Sequence, residues 1–281
     1  MKNILLTGAS GFIGSCILKK ILKLNYSVYA IGNTKVKFRH KNFKFIKQNL
    51  KKKIVLNKRV NFDYIIHTAA ISPAKNISDE TIMSYNLKST ENIINFAKDN
   101  KIKNLIFLSS ISIYGKINEK LLKVSTTIRS PDIYGKSKLF NEKLIHASGL
   151  KAVSIRLPGV VGKSSKRNLL TRIVSSKKKT IYAYNKFSKF NNTINVENLS
   201  DFIISLCKKK FKKGHYPILV SSKEPIKIHK ALSIIAPDKK IVYRPSNINS
   251  FIIDNSVAIK KYNFNPWTVT YTLQKFKKEY C

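Results

Sequence analysis

Tyr134 and Lys138 stand four residues apart in Tyr134-Gly135-Lys136-Ser137-Lys138. On a helix, that spacing puts two side chains on one face. A phenol with a pKa near ~10 is a poor base at neutral pH. A neighbouring ammonium favours the ionised phenol and lowers that value. The pair predicts proton exchange with an alcohol or carbonyl. Ser110, at the end of a candidate strand, is placed to hold the same oxygen by a hydrogen bond. Ser110, Tyr134 and Lys138 are the candidate catalytic residues.

A second pattern lies at the start of the chain. Thr7-Gly8-Ala9-Ser10-Gly11-Phe12-Ile13-Gly14 spaces three glycines as G-x-x-G-x-x-G between an apolar run and an amphipathic stretch. Gly8 allows a tight turn, Gly11 a close backbone approach to a pyrophosphate, and Gly14 close packing of helix on strand. With Ser10, Phe12 and Ile13, the loop offers a helix N-terminus to phosphates. Dinucleotide binding follows, with hydride transfer at a nicotinamide beside the Tyr-Lys pair.

These residues need a scaffold, and the hydrophobic pattern supplies one. Strands are predicted at Ile4–Thr7, Ser27–Ile31, Phe43–Ile46, Tyr64–His67, Asn104–Ser109 and Ala152–Leu157. Helices are predicted at about Phe12–Leu24, Thr81–Asp99 and Pro131–Ala147. The alternation predicts an α/β fold, a doubly wound parallel sheet of Rossmann type covered on both faces. Beyond Pro158 the periodicity weakens, with a helix expected at Glu197–Cys207 and a strand at Tyr216–Val220. The expected division is a dinucleotide-binding domain over 1–157 and a smaller substrate-binding lobe over 158–281, partly returning to the sheet.

The adenosine side bears on cofactor choice. An acid at the end of the second strand accepts hydrogen bonds from ribose hydroxyls in NAD-selective folds. Here Gly32-Asn33-Thr34-Lys35 follows the strand, then Lys37 and Arg39, with no carboxylate. This favours NADP over NAD, with Lys35 toward a ribose phosphate.

Composition bounds the remaining possibilities. The 281 residues carry 54 Lys plus Arg against 14 Asp plus Glu, a net charge of +40, with 43% hydrophobic residues. That apolar content excludes a wholly disordered basic tail. Only seven basic residues are arginine, at 39, 59, 129, 156, 167, 172 and 244. Nucleic-acid readers favour Arg for bidentate contacts. A surplus of Lys, Asn and Ile together reads as composition bias, arguing against a nucleic-acid partner. Cys16, Cys207 and Cys281 are scattered without metal-ligand spacing. The expectation is no metal, no membrane span, no signal peptide, and a reduced, cytoplasmic protein.

Together these residues resemble the extended short-chain dehydrogenase/reductase family, its NAD(P)-dependent sugar epimerase/dehydratase group. The likeness runs nearly end to end. Ile66-His67-Thr68-Ala69-Ala70 resembles the fourth-strand motif whose alanines lie against the cofactor, which implies Thr68, Ala69 and Ala70 there. His67 itself is read as a packed strand-end residue. Asn49-Leu50 falls where the family carries an Asp-Leu that meets adenine. Asn86 matches a helix-bending asparagine. Leu108–Gly115 resembles the strand with the catalytic Ser/Thr and selects Ser110. Arg156–Gly162, including Pro158, resembles the segment near the nicotinamide. Thr193–Asn198 and Arg244-Pro245 resemble motifs of the substrate lobe, Arg244 as a diphosphate clamp.

Departures from the family narrow what the resemblance implies. Ile111 and Ser112 stand where 4,6-dehydratases carry Asp-Glu. Ser112 also replaces the decarboxylases' glutamate and a cysteine acid/base of fucose-type epimerase-reductases. What remains is a simple redox cycle, 4-epimerisation or reduction of a 4-keto-sugar, on a nucleotide-linked sugar touching Ser110, Ser112, Tyr134 and Arg244. Asn191 stands where a second clamp arginine is usual. The resemblance also implies a homodimer through helices near 81–99 and 133–148. The competing reading is a non-catalytic NAD(P)-binding protein holding RNA or anionic lipid; the intact Ser110, Tyr134 and Lys138 oppose it.

Overall fold

The computed structural model describes residues 2–56, 60–166, 168–246 and 249–280. Arg59, Arg167 and Cys281, named above, lie outside the described residues. The chain divides into two compact units. One comprises Met1–Gly115, Ser130–Arg156 and Ser200–Pro217; the other comprises Lys116–Arg129, Leu157–Leu199 and Ile218–Cys281.

The first unit is built on β1 (Asn3–Thr7), α1 (Phe12–Leu22), β2 (Ser27–Gly32), β3 (Phe43–Lys47), β4 (Tyr64–His67), α2 (Asp79–Asp99), β5 (Asn104–Ser110), α3 (Ile133–Ala147), β6 (Lys151–Leu157) and β7 (His215–Leu219). The seven strands form one sheet in the order β7-β6-β5-β4-β1-β2-β3. The pairs β3-β2, β2-β1, β1-β4 and β4-β5 are parallel. The chain winds outward one way through β1, β2 and β3, then returns to the other side of β1 at β4. That reversal leaves a crevice at the carboxyl ends of β1 and β4, where Thr7 and His67 are register partners. The continuous apolar runs of β1 and β4 are what a sheet covered on both faces requires: Ile4, Leu5, Leu6, Ile65 and Ile66 are fully buried.

α1 starts at Phe12 as predicted, whereas the starts of α2 and α3 differ from the periodicity by two residues, because caps decide them. Ser78 accepts the N–H of Thr81, so α2 begins at Asp79. Asp132 accepts the N–H of Gly135 at 2.7 Å, so α3 begins at Ile133 rather than Pro131. α2 and α3 pack against each other.

The second unit contains helices at Leu169–Ser175, Ile228–Ile235, Ser256–Tyr262 and Val269–Tyr280. Strands Thr180–Tyr184 and Lys240–Arg244 pair in parallel. Its core gathers Leu170, Ile173, Leu232, Ile235, Leu273 and Phe276. Individually these elements are short, and their apolar faces are completed only in a shared core, which is why periodicity left them unassigned. No helix among the described residues is long and apolar enough to cross a membrane.

Candidate active site

The glycine loop joins β1 to α1. Gly8 has φ +72°, a conformation side chains rarely adopt, and its carbonyl accepts the N–H of Gly11 at 2.9 Å. A Cβ on Gly14 would stand 2.1 Å from that carbonyl, so only glycine lets α1 close on the loop. Gly11 is the N-cap residue of α1 and supplies no side-chain cap. α2 and α3, by contrast, are capped by Ser78 and Asp132. The loop is thus pressed flat with helix amides left for an anion, and these residues fit a dinucleotide pyrophosphate. Ser10 and Gly11 are exposed; Phe12 and Ile13 are half-buried.

Beside the loop lies a cavity of about 280 Å³, lined in part by Ser10, Lys19, Thr34, Lys35 and Lys37. Arg39 does not line this cavity, whereas Lys19, on α1, does; nothing in the pattern of the second strand pointed to it. Asn49 accepts the N–H of Lys51 at 2.9 Å, and Asn92 of α2 donates to the Leu50 carbonyl at 2.8 Å. Thr68, Ala69 and Ala70 follow β4 and are half-buried. Asn86 is buried and holds Ile71 at both main-chain groups, accepting its N–H at 2.8 Å and donating to its carbonyl at 3.0 Å.

Ser110 ends β5. Its hydroxyl accepts the Ser112 N–H at 3.1 Å and donates to the Ser112 hydroxyl at 3.0 Å, capping the short turn Ile111–Tyr114. α3 rests directly on that turn: a Cβ on Gly135 would lie 2.2 Å from the Ser112 carbonyl oxygen. Lys138 is 2% exposed and donates to the Leu108 carbonyl at 2.7 Å. Its ammonium lies 4.6 Å from the centre of the Phe107 ring and 5.7 Å from that of Tyr134. Lys138 is thus tied to β5 two residues before Ser110, and Gly135, next to Tyr134, rests on the Ser112 main chain, where α3 crosses the end of β5. Gly135 is the residue that permits this approach, and it stood unremarked inside the Tyr-x-x-x-Lys spacing.

The electrostatics run against the sequence expectation. Burial pushes the Tyr134 phenol up to about 12, a hydrogen bond with Ser72 opposes the rise, and Asp132 adds to it. Burial pulls the Lys138 ammonium down to about 7, with Glu142 opposing. The lysine was expected to lower the tyrosine; burial instead raises the phenol and lowers the ammonium. Ser72 was missed because nothing in its local sequence marks it. Glu142 is itself engaged: Arg156 donates to it at 2.7 Å and to the Tyr114 hydroxyl at 2.6 Å, all buried.

In the second unit, Pro158 is buried and immediately precedes the strand Gly159–Val161. The Arg244 guanidinium stacks 3.9 Å from the centre of the Tyr182 ring. Asn191 is buried and spends its amide internally, on Ser221 and on both main-chain groups of Ile253. A cavity of about 370 Å³ is lined by Gly159, Asn168, Leu169, Lys189, Phe190 and Asn192, among others. Among the described residues, no group of three or more His, Cys, Asp or Glu could hold a metal ion.

Residues 4–216 match the model of the NAD dependent epimerase/dehydratase family. A protein of Bacillus subtilis (strain 168), named an uncharacterized UDP-glucose epimerase, YtcB, is 31% identical over 183 residues, 57% of each chain. A UDP-glucose 4-epimerase of Streptomyces lividans is 25% identical over 56% of this chain and 52% of its own. The chain thus spans little more than half the length of the curated relatives it matches. Among solved structures, a UDP-glucuronic acid 4-epimerase from Bacillus cereus in complex with NAD has a TM-score of 0.81 at 19% identity, covering 99% of this chain and 98% of that one. The Bordetella bronchiseptica enzyme WbmH in complex with NAD+ gives 0.80 at 21% identity, with the same coverage. At such identities the likeness shows the fold alone, and the fold is that of these epimerases. From the glycine loop to β7, this chain belongs to the NAD-dependent epimerase/dehydratase family.

Proposed function

We propose that this protein carries out NAD(P)-dependent redox chemistry at C4 of a nucleotide-linked sugar, either reduction of a 4-keto-sugar or 4-epimerisation. The observation that carries the reading is Lys138. A buried ammonium is costly unless it is paired, yet among the described residues no carboxylate forms an ion pair with it, and its bond goes to the Leu108 carbonyl beside Ser110. When bound, the nicotinamide would accept or supply hydride. Tyr134 would exchange a proton with the sugar oxygen, Ser110 would hold that oxygen, and Lys138 would hold the cofactor ribose.

The Lys19, Lys35 and Lys37 cavity supports NADP over NAD. The cavity lined by Asn168, Lys189 and Asn192 in the second unit supports a nucleotide-linked substrate, with Lys189 acting as a point charge. Asn191, engaged in its own unit, would give no clamp. Ile111 and Ser112 leave no acid pair for elimination of water. Phe140 and Leu144, exposed four residues apart on α3, support a homodimer through this helix. The test is a panel of nucleotide sugars and their 4-keto forms with NADPH or NADH, followed by nicotinamide absorbance and product analysis. Turnover unaffected by Tyr134→Phe would remove the mechanism.

A further inference from the structure

His67 ends β4 and is 1% exposed, and nothing in the proposed proton transfer uses it. Its ring lies between two hydroxyls: Nδ1 is 2.7 Å from Thr7 Oγ1, and Nε2 is 3.0 Å from Thr90 Oγ1. The surroundings settle which atom donates. Thr90 Oγ1 gives its own proton to the Asn86 carbonyl at 3.0 Å, so toward His67 it can only accept. Nε2 therefore carries the ring proton, Nδ1 is bare, and Thr7 donates to it. Thr7 Oγ1 in turn accepts the Ala69 N–H at 3.2 Å. The chain runs one way: Ala69 N–H to Thr7, Thr7 to His67, His67 to Thr90, and Thr90 to Asn86.

Both ends of this chain hold the same short segment. Thr68 donates to the Thr7 carbonyl at 2.7 Å, and Ala69 donates to the Thr7 hydroxyl. Two residues on, Ile71 is held at both main-chain groups by Asn86. The Asn86 amide also reaches Ser137 at 3.0 Å, and Ser137 donates to the Tyr134 carbonyl at 2.8 Å. Thr68 and Ala69 are also the atoms against which Gly8 is pressed: a Cβ there would lie 2.5 Å from Thr68 Oγ1. A charged ring would break the directionality, since imidazolium has no acceptor for Thr7. Burial, with Lys138 nearby, holds the ring pKa down to about 3.

We propose that His67 is a positioning residue for the cofactor: a neutral, Nε2-protonated ring that fixes the Thr68–Ile71 segment between the glycine-loop strand and α2. This rests on the cofactor-binding reading above. Its consequence is that the segment facing the dinucleotide and the helix bearing Tyr134 share one hydrogen-bonded frame, with His67 as the only ring in it among the described residues.

The test compares wild type with His67→Asn, which keeps an acceptor near Thr7, and His67→Phe, which fills the site but makes neither bond. NAD and NADP affinities are measured by fluorescence on folded protein, alongside melting temperature. One lost net hydrogen bond corresponds to a weakening of about 3- to 10-fold. The expected result is a cofactor Kd raised about 10-fold in His67→Phe and partly recovered in His67→Asn. A Kd for His67→Phe within twofold of wild type overturns the inference, whatever the melting temperature does. Should His67→Phe not fold, Thr90→Val leaves the ring in place and removes its far acceptor together with the bond to the Asn86 carbonyl, and an unchanged Kd there overturns it equally. Nitrogen-15 histidine spectra of wild type supply a second readout: a single Nε2–H tautomer through pH 6 supports the proposal, and an Nδ1–H or doubly protonated ring overturns it. Wild type that binds neither dinucleotide would fail the cofactor reading instead, while the tautomer spectrum would still report on the chain.

Discussion

The Lys138 ammonium donates to the Leu108 carbonyl at 2.7 Å, and Leu108 stands two residues before Ser110 on β5. One bond thus ties the helix carrying Tyr134 to the strand carrying Ser110. Losing the Tyr134 hydroxyl leaves this tie intact. Tyr134→Phe is therefore expected to fold normally and to lose turnover by about 100-fold or more, the range of a general acid-base group. Steady-state rates beside circular dichroism check both halves.

Lys138 also makes stability depend on pH. In the fold its proton is held near about 7, and in the unfolded chain near 10.5. Between these values the unfolded chain binds the extra proton, so stability rises with pH across that window. Lys138→Met removes this dependence. Denaturant melts from about pH 7 to about pH 10 should show wild type gaining stability relative to the variant; parallel curves would refute the depressed ammonium.

Gly135 sits where a Cβ would stand 2.2 Å from the Ser112 carbonyl oxygen. Both partners are backbone-bound, so the clash can be relieved only by moving α3 off the turn. Gly135→Ala should cost about 1–3 kcal/mol, the range for overpacking, and should depress turnover further than that destabilisation alone. Urea melts and rates at saturating substrate separate the two effects.

Arg156 and Glu142 form a buried pair, with side chains 8% and 5% exposed. Removing one charge strands the other. Glu142→Gln should cost about 3 kcal/mol or more, with a lower Tm and no change of cofactor preference in the folded fraction.

Lys35 and Lys37 line the cavity beside the glycine loop. Lys35→Ala with Lys37→Ala should weaken NADP by about 10-fold, since contacts to a charged group contribute about 1.5 kcal/mol or more, and should leave NAD nearly unchanged. Titrations with both dinucleotides check it. Equal losses would mean only general charge.

Much of the first unit was legible in the chain because its signals are local. A short apolar run and a glycine spacing need no partner to be read, and β4 was placed to the residue at Tyr64–His67. Ser110 and Lys138 were singled out by type and spacing. Ser72 and Lys19 were not, because each matters through a neighbour far along the chain. The helices at Leu169–Ser175 and Val269–Tyr280 escaped for the same reason. Their apolar faces are completed by one another's side chains in a shared core.

By itself, then, the amino-acid sequence determined the parallel α/β architecture, the glycine loop and the Tyr-Lys spacing, since these rest on periodicities of two and 3.6 residues and on turn chemistry. Only the tertiary structure decided protonation and direction. Burial, set by distant elements, raised the phenol of Tyr134 and lowered the ammonium of Lys138. It also turned His67 from a packed strand end into a one-way hydrogen-bonded link, because the partners that orient its ring come from β1 and α2.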